Sequence, residues 1–535
     1  MEKKTSTEIQ HVDEYGRNVV LSSETTSEKV WNPLLILSCV AFGCTSILFG
    51  FDDKVISPVA AMEQFVEKFQ GGDSSSGALV LTARNQDLVF CLPLVGAIFG
   101  AIAASPLTSR FGRKWVVVGV YSLSYAGTFL QTFAPVLGAF VVGRFFNAIM
   151  IAIGTTVSLL YLSEIVPAKY RGFAVTSSNI FNLIAGVIAT VVCNATYTRA
   201  GSASFQIPLG AQAIMPTILI PLTVFIPESP LWLLGRGRED EARANLRKIR
   251  AYGDVLVEDE LRVMKLALHE ERELTSGTKV TDLFTGANIK RTLVAGSMYS
   301  VNQVSGVILS TTYATVFLTT LGVGNPFQLT IAASCCTLAG TLIAPLIVDR
   351  VGRRTIAIGG LSVLLTIDFI AGGLAFKAHD SSYAMGVAAL SFIFNAFWGA
   401  SFYCLSVTLP TEIPTARLRN MTTSYALACA YTTAVITTFA VPQLVSADAA
   451  NLGAKTYLVF GGCVVCILVF YYLFLPETAG RTFAEIDEMY EQKVPVRKWR
   501  KYQTSAAARQ AVVVKGTFDT VSKVEEKEEA ANGSV

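Results

Sequence analysis

The chain has 535 residues, of which 52% are hydrophobic and only 16% charged, with a mean hydropathy of +0.49 and a formal net charge of +3. Soluble domains carry roughly a quarter charged residues, so an ordinary soluble chain is excluded. The small net charge orients nothing by itself; the positions of the charges along the chain carry that information.

The first thirty residues, MEKKTSTEIQHVDEYGRNVVLSSETTSEKV, are polar and lack a short apolar core with a small-residue cleavage site. A polar cytoplasmic tail over 1–32 is expected, with no cleaved signal. Twelve apolar stretches come next, centred near Val40, Val95, Ser122, Ile151, Leu183, Ile218, Val307, Ser334, Leu364, Phe394, Tyr431 and Cys466. Each is long enough to cross a bilayer as a helix. Unpaired backbone groups are costly in lipid, and runs this continuously apolar exclude the alternating strands of a barrel. The expected fold is an all-α membrane protein of twelve transmembrane helices.

Six spans occupy 33–226 and six occupy 292–475, separated by a polar linker over 227–291. Within it, GREDEARANLRKIRAYGDVLVEDELRVMKLALHEERELT interleaves charges with apolar residues at helical spacing, which predicts amphipathic helices on the membrane face. Basic residues cluster in one set of short loops: Arg110, Arg113 and Lys114; Lys169 and Arg171; Arg350, Arg353 and Arg354; Arg417 and Arg419. The opposite loops hold fewer, namely Lys68, Arg84, Arg199, Lys377 and Lys455. The richer side is expected to be cytoplasmic, with both termini on it. The final tail, 476–535, ends in KVEEKEEAANGSV, which is charged, free of aromatics and expected to be disordered.

The ten cysteines lie in or at the ends of apolar stretches, and Cys463 with Cys466 lacks a second ligand pair, so packing is their reading and no metal site is expected. No nucleotide loop or soluble-enzyme constellation is present either, which points away from an enzyme and from any cofactor or nucleic-acid partner. Asn194, in NATY, fits the glycosylation acceptor pattern and is expected in an outer loop.

The halves repeat one another. SRFGRK matches DRVGRR, SEIVPAKYRG matches TEIPTARLRN, and FIPESP matches FLPETAG, with Arg113 and Arg353 240 positions apart, Glu164 and Glu412 248, and Glu228 and Glu477 249. A six-span unit has been duplicated. The basic and acidic residues of these motifs, Arg113, Glu164, Arg171, Glu228, Asp349, Arg353, Glu412, Arg417 and Glu477, sit at helix ends, where they are expected to pair across helices as a latch.

Two charges lie within the bilayer at matching depth. Asp52 is about eight residues, roughly 12 Å, inside the first span, and Arg144 about nine residues, roughly 13 Å, inside the fourth, both counted from the non-cytoplasmic surface. An isolated charge there would cost several kcal/mol, so pairing is expected, and movement of the arginine would then change the carboxylate's hold on a proton. Asp53 and Lys54 are adjacent and are expected to neutralise each other or to snorkel, with no transport role. Asp368, alone in the ninth span, is expected to face a peripheral helix contact.

From Trp31 onward the chain resembles the sugar porters of the major facilitator superfamily. The resemblance rests on PETAGRTFAEIDEMY at Pro476–Tyr490, IPESPLWLLGRGREDEA after the sixth span, DRVGRR, E-x-x-P-x-x-x-R-G from Glu164, and NQVSG from Asn302. It implies the major facilitator fold and, through Gly50, Phe51, Asp52 and Arg144, a sugar–proton symporter in which Asp52 carries the proton and Arg144 controls it. Sugar recognition needs amides and hydroxyls that donate and accept, with aromatic faces against the ring. The resemblance and the central positions nominate Gln303, Asn302, Trp398, Asn179, Asn182, Tyr313 and Tyr403.

The chain departs from the family pattern in several places. Asn302, Ile308, Thr312 and Asn179 stand where glutamine, asparagine, tyrosine and glutamine are usual, and Lys54 replaces a small residue. About four residues more than usual separate Tyr403 from Glu412, so the aromatics are deeper or the extra turn is absorbed at Pro410. EIPTARLRNMT resembles fungal α-glucoside permeases. The expected function is a monomeric plasma-membrane importer of a hexose or glucoside with a proton, its other partner being the lipid bilayer. Alternatives are quinate-like acids, polyols or a secondary metabolite as cargo, and a non-transporting sensor, for which the 476–535 tail is short.

Overall fold

The computed structural model describes residues 11–12, 18–19, 32–70, 80–250, 254–275, 278–286, 288–322, 324–377, 380–502 and 504. The expectations for most of the tail over 1–32 and for the stretch after 504 therefore fall outside the described residues, as do the side chains of Arg171 and Asp349. A two-residue antiparallel pair, His11–Val12 with Asn18–Val19, is the sole strand structure among the described residues. All the rest of the described architecture is helical.

Ten described helices are long and apolar enough to cross a membrane. They supply spans 1 (Pro33–Ala60), 2 (Ala83–Phe111), 4 (Leu137–Ile165), 5 (Ala168–Thr196), 6 (Ala203–Phe225), 8 (Pro326–Val351), 9 (Arg353–Leu374), 10 (Ser381–Glu412), 11 (Arg419–Val445) and 12 (Thr456–Phe474). Span 3, Arg113–Thr132, is a helix of 20 residues that opens on Arg113 and Lys114. Span 7 is in three pieces, Asn288–Val304, Val307–Ser310 and Ala314–Leu321, with Gly306 at the first break in a left-handed conformation at φ +84°. The result is the twelve-helix major facilitator fold.

Local chemistry places several of the ends. Asn32 caps span 1 by accepting from the Leu34 N–H at 3.1 Å, with Pro33 in the first turn, and Asn325 with Pro326 does the same for span 8. In the matching RFGRK and RVGRR turns, Gly112 and Gly352 take φ of +87° and +100°, which side chains rarely adopt. Each also leaves room for a glutamate, Glu228 or Glu477, whose oxygens would lie 2.3 and 2.6 Å from an added Cβ.

In span 10 a π-helical turn over Gly399–Tyr403 interrupts the α-helix, which resumes at Cys404 and runs on through Pro410 to Glu412. Such turns insert residues into a helix without ending it. Gly399 lets span 8 come close at this turn, because a Cβ there would lie 2.7 Å from the Thr337 carbonyl.

Within the first half, spans 2 and 3 pack on span 4 and span 1 packs on span 5; in the second, span 7 packs on span 11, span 8 on span 10, and span 9 on span 12. Spans 2 and 11, and spans 5 and 8, join the halves. At the linker end each half keeps its own apolar core, one built around Tyr121, Tyr161 and Leu162, the other around Phe394, Phe402 and Leu409. At the far end a single core draws on both, including Phe51, Val55 and Phe90 from one half and Leu309, Tyr313 and Phe317 from the other. The halves are therefore sealed together at the far end and separate toward the linker.

The linker forms helices Glu239–Ile249 and Asp254–Thr275, whose apolar faces cluster through Ala242, Leu246, Val257 and Leu261 with Leu233 of the short helix Pro230–Gly235. Beyond span 12, helix Phe483–Glu491 and the turn Val496–Lys501 dock on the second half, where Trp499 is 1% exposed.

Candidate functional site

Gly50 brings span 1 onto span 5: a Cβ there would lie 2.0 Å from the backbone oxygen of Asn182. Two residues on, Asp52 turns away toward spans 4 and 6 and meets Arg144, with Nη1 3.4 Å from Oδ1 and Nη2 3.5 Å from Oδ2. Both residues are buried, at 8% and 5% exposure. The depths counted from the sequence thus describe a real pair.

The sequence reading missed the amides around it. Asn147, one turn after Arg144, donates from Nδ2 to Asp52 Oδ1 at 3.2 Å and to Gln212 Oε1 at 3.1 Å, and Gln131 Nε2 donates to the same Gln212 oxygen at 2.7 Å. All three are buried. A cavity of about 20 Å³, room for one water, lies beside them, lined in part by Ser124, Thr128, Asn147 and Gln212. The signal for Asn147 was its spacing of three from Arg144 on one helix face. Gln131 is the one amide of span 3, and Gln212 is one of two in span 6, with Gln206; amides in otherwise apolar spans are the trace such a cage leaves in sequence.

Span 1 also presents Asp53 and Lys54, which form an ion pair at 2.9 Å. Ser57, one turn beyond Asp53 on the same face, accepts from the Thr315 N–H of span 7 at 3.0 Å. Asp53 therefore lies just below the far-end seal on the face toward the second half. Lys54 lies over Gly186 of span 5. Mutual neutralisation, one of the two sequence expectations, is what the side chains do.

Of the proposed cargo residues, Trp398 and Tyr403 meet edge to face at 5.4 Å at the π-helical turn. Asn302 and Gln303 are half-buried near the end of the first piece of span 7. The buried Trp398 Nε1 donor and Asn302 Oδ1 acceptor have no hydrogen-bond partner among the described residues. Asn179 and Asn182 are half-buried on span 5, the latter against Gly50.

Tyr313 lies elsewhere. It is 2% exposed in the far-end seal, donates to the Thr438 carbonyl at 2.9 Å and packs on Phe90 at 4.3 Å. The breaks in span 7 carry it out of line with Gln303. Other polar contacts close the same end: Gln443 Nε2 donates to Asp87 at 2.7 Å, the Ala83 N–H donates to Asp448 at 2.9 Å, and Asn325 donates to the Tyr197 hydroxyl at 2.9 Å. Asn194, expected in a loop, falls instead in the last turn of span 5 and is half-buried.

The latch residues pair within each half. Arg113 donates to both oxygens of Glu164, at 2.6 and 3.1 Å, and Ser229 donates to the same carboxylate at 2.5 Å. Glu228 accepts from the backbone N–H groups of Arg113, Lys114 and Ser229, capping span 3 from the end of span 6. Burial pushes the Glu228 carboxyl above its ordinary range, against the opposing pull of those N–H groups and of Arg113. In the second half Arg353 meets Glu412 at 3.4 Å, Thr478 donates to Glu412 at 2.7 Å, and Glu477 accepts from the N–H groups of Arg353 and Arg354 at 2.8 and 3.2 Å. Arg417 reaches the linker, 3.3 Å from Asp282.

The sequence matches the family model for sugar (and other) transporters over residues 38–490. Similar proteins include a general alpha-glucoside permease of Saccharomyces cerevisiae, 31% identical over 87% of this chain and 77% of the permease, and the major facilitator-type transporter ecdD of Aspergillus rugulosus, 28% identical over 91% and 92%. Among solved structures, the inward open conformation of the xylose transporter XylE from E. coli superposes with a TM-score of 0.71 at 21% identity, over 85% of this chain and 99% of that one. The proton:xylose symporter XylE bound to 6-bromo-6-deoxy-D-glucose gives 0.67 at 22% identity, over 85% and 99%. A duplicated six-span unit, a buried Asp52–Arg144 pair and a family match across most of the chain converge: this protein belongs to the sugar transporter family of the major facilitator superfamily.

Proposed function

We propose that the chain is a proton-coupled importer of an α-glucoside or hexose, working as a single chain in the plasma membrane with both termini cytoplasmic. The observation that carries the reading is the Asp52–Arg144 pair, contributed by two different spans and caged by Asn147. When the spans shift, the carboxylate loses or regains its counter-ion, so its affinity for a proton is tied to the arrangement of the helices. With the linker on the cytoplasmic side, the sealed far end and the separate linker-end cores correspond to an inward-facing state. The α-glucoside permease and the proton:xylose symporter among the similar proteins support the cargo and the coupling ion. The Trp398 donor and Asn302 acceptor, without partners among the described residues, are groups that a sugar hydroxyl would satisfy.

Reconstituted vesicles test this. Radiolabelled maltose and glucose should accumulate only when an inward proton gradient is imposed, and Asp52→Asn should abolish accumulation while leaving counterflow exchange. Equal uptake with and without the gradient, or accumulation by Asp52→Asn, would remove proton coupling.

A further inference from the structure

Asp368 of span 9 is 0% exposed, and neither of its carboxylate oxygens has a hydrogen-bond partner among the described residues. It lies where three spans meet. From span 12, Gly461 faces it, with a Cβ there 3.5 Å from the Asp368 Cβ; from span 7 comes Gly306, whose added Cβ would lie 3.7 Å from Oδ1. The titratable group facing it is Tyr457 of span 12, whose hydroxyl is engaged with Ser391 of span 10 at 2.9 Å. The lysines at the far ends of these spans, Lys377 and Lys455, sit instead over the rings of Tyr383 and Phe376.

The internal repeat says what place this is. The offset that relates Arg113 to Arg353 relates Thr128 to Asp368, and those that relate the two pairs of motif glutamates relate Asn147 to Asn395 and Gln212 to Gly461. Thr128 and Gln212 line the small cavity beside the Asp52 cage. The second half thus carries an acid at the position matching the wall of the first half's proton site. Arg144 maps onto Phe392, so the guanidinium has no counterpart.

A carboxylate with no partner in the interior of a membrane protein costs several kcal/mol in its charged form, so this conformation holds it with its proton on. Gly306 supplies the mechanical link. It is the left-handed break beyond which span 7 runs on to Thr315, whose N–H is bonded to Ser57 in the far-end seal. To open that end, the outer part of span 7 must leave Ser57, and a displacement at Gly306 uncovers the acid packed on it. We propose that Asp368 is a second proton-binding site, distinct from Asp52, which must be protonated from the far side before the seal between spans 1 and 7 can close. The proton returns to the same side when the seal reopens, so it regulates the cycle without being carried across.

This proposal rests on the carrier reading but can fail separately from it. In the Asp52→Asn background, counterflow of radiolabelled maltose or glucose should still fall as far-side pH rises, approaching about tenfold per pH unit where deprotonation dominates. Adding Asp368→Asn, or Asp368→Thr to restore the residue of the first half, should make the profile flat. Profiles that coincide with and without the Asp368 substitution would overturn the proposal, whereas accumulation by Asp52→Asn alone would overturn proton coupling and leave Asp368 untouched. A cargo-independent measurement accompanies it: the infrared carbonyl stretch of a protonated carboxyl in purified protein should lose one component in Asp368→Asn. An unchanged band in that variant would also overturn the proposal.

Discussion

At the linker end the two halves are built alike: a glycine turn, an arginine on a glutamate, and a second glutamate accepting the first backbone N–H groups of span 3 or span 9. Inside the membrane they part. The first half places its acid on span 1 and surrounds it with a guanidinium and amides, while the second places its acid on span 9 among two glycines and a tyrosine. The contrast separates two jobs. Contacts that make six helices one rigid body are needed in both copies, whereas a charge that answers to helix movement needs an environment of its own.

The largest expected effect comes directly from the difference in partners. Arg144→Leu strands an ionised Asp52 among buried amides and should cost about 3–5 kcal/mol of stability. Adding Asp52→Asn should restore most of that loss. Asp368→Thr removes a group without a hydrogen-bond partner among the described residues and should change stability by less than about 1 kcal/mol. Thermal unfolding of the purified variants reads all three, and an Asp368 variant as unstable as Arg144→Leu would erase the distinction between the sites.

The amide cage sharpens the same comparison at a smaller scale. Asn147→Leu deletes a donor to Asp52 and to Gln212 together. Leaving those acceptors buried without it should cost about 1–3 kcal/mol, and the pH at which proton-driven uptake is half-maximal should shift. Asn395, its counterpart in the second half, is bonded to Ser310 of span 7, with Nδ2 on the backbone oxygen at 3.2 Å and Oδ1 on the hydroxyl at 3.3 Å. Asn395→Leu should cost a similar amount and leave the pH of half-maximal uptake in place. Equal pH shifts in the two variants would mean that both amides act only as packing.

How far these features could be read from the sequence depended on what a helix end reveals. The number of spans, the duplication and the motif pairs were legible because composition and short loops record them. The depths of Asp52 and Arg144 could be counted inward from Ala60 and Pro135, and so could their meeting. Rotation about the helix axis was not legible in spans that are apolar all round, since nothing in the pattern says which face Gln131 or Gln212 presents. Tyr313 was placed with the cargo residues by its match to the family's seventh-span pattern. The left-handed turn at Gly306, packed against Phe460 and Asp368, is a tertiary fact with no local signature beyond the glycine itself. The π-helical turn at Gly399 is similar: it lies where span 8 comes close, and has no local signature beyond the glycine itself.

The smallest difference lies in the region where the halves agree best. Arg113 meets both oxygens of Glu164, at 2.6 and 3.1 Å, whereas Arg353 meets Glu412 at 3.4 Å. The side chain of Glu164 is 5% exposed and that of Glu412 26%. Shorter, two-pronged bonds between less solvated charges are the stronger ones. Glu164→Gln should therefore cost roughly 1.5–3 kcal/mol, while Glu412→Gln, closer to a partly solvated ion pair, should cost about 0.5–1 kcal/mol. Because Arg113 and Glu164 join spans 3 and 4 of one half, the loss should appear as easier unfolding of that half, read by hydrogen exchange at residues 113–165, with exchange at residues 353–412 unchanged. If the two variants lose the same stability, the added bond length in the second half has no energetic meaning and the two linker ends are equivalent in strength as well as in plan.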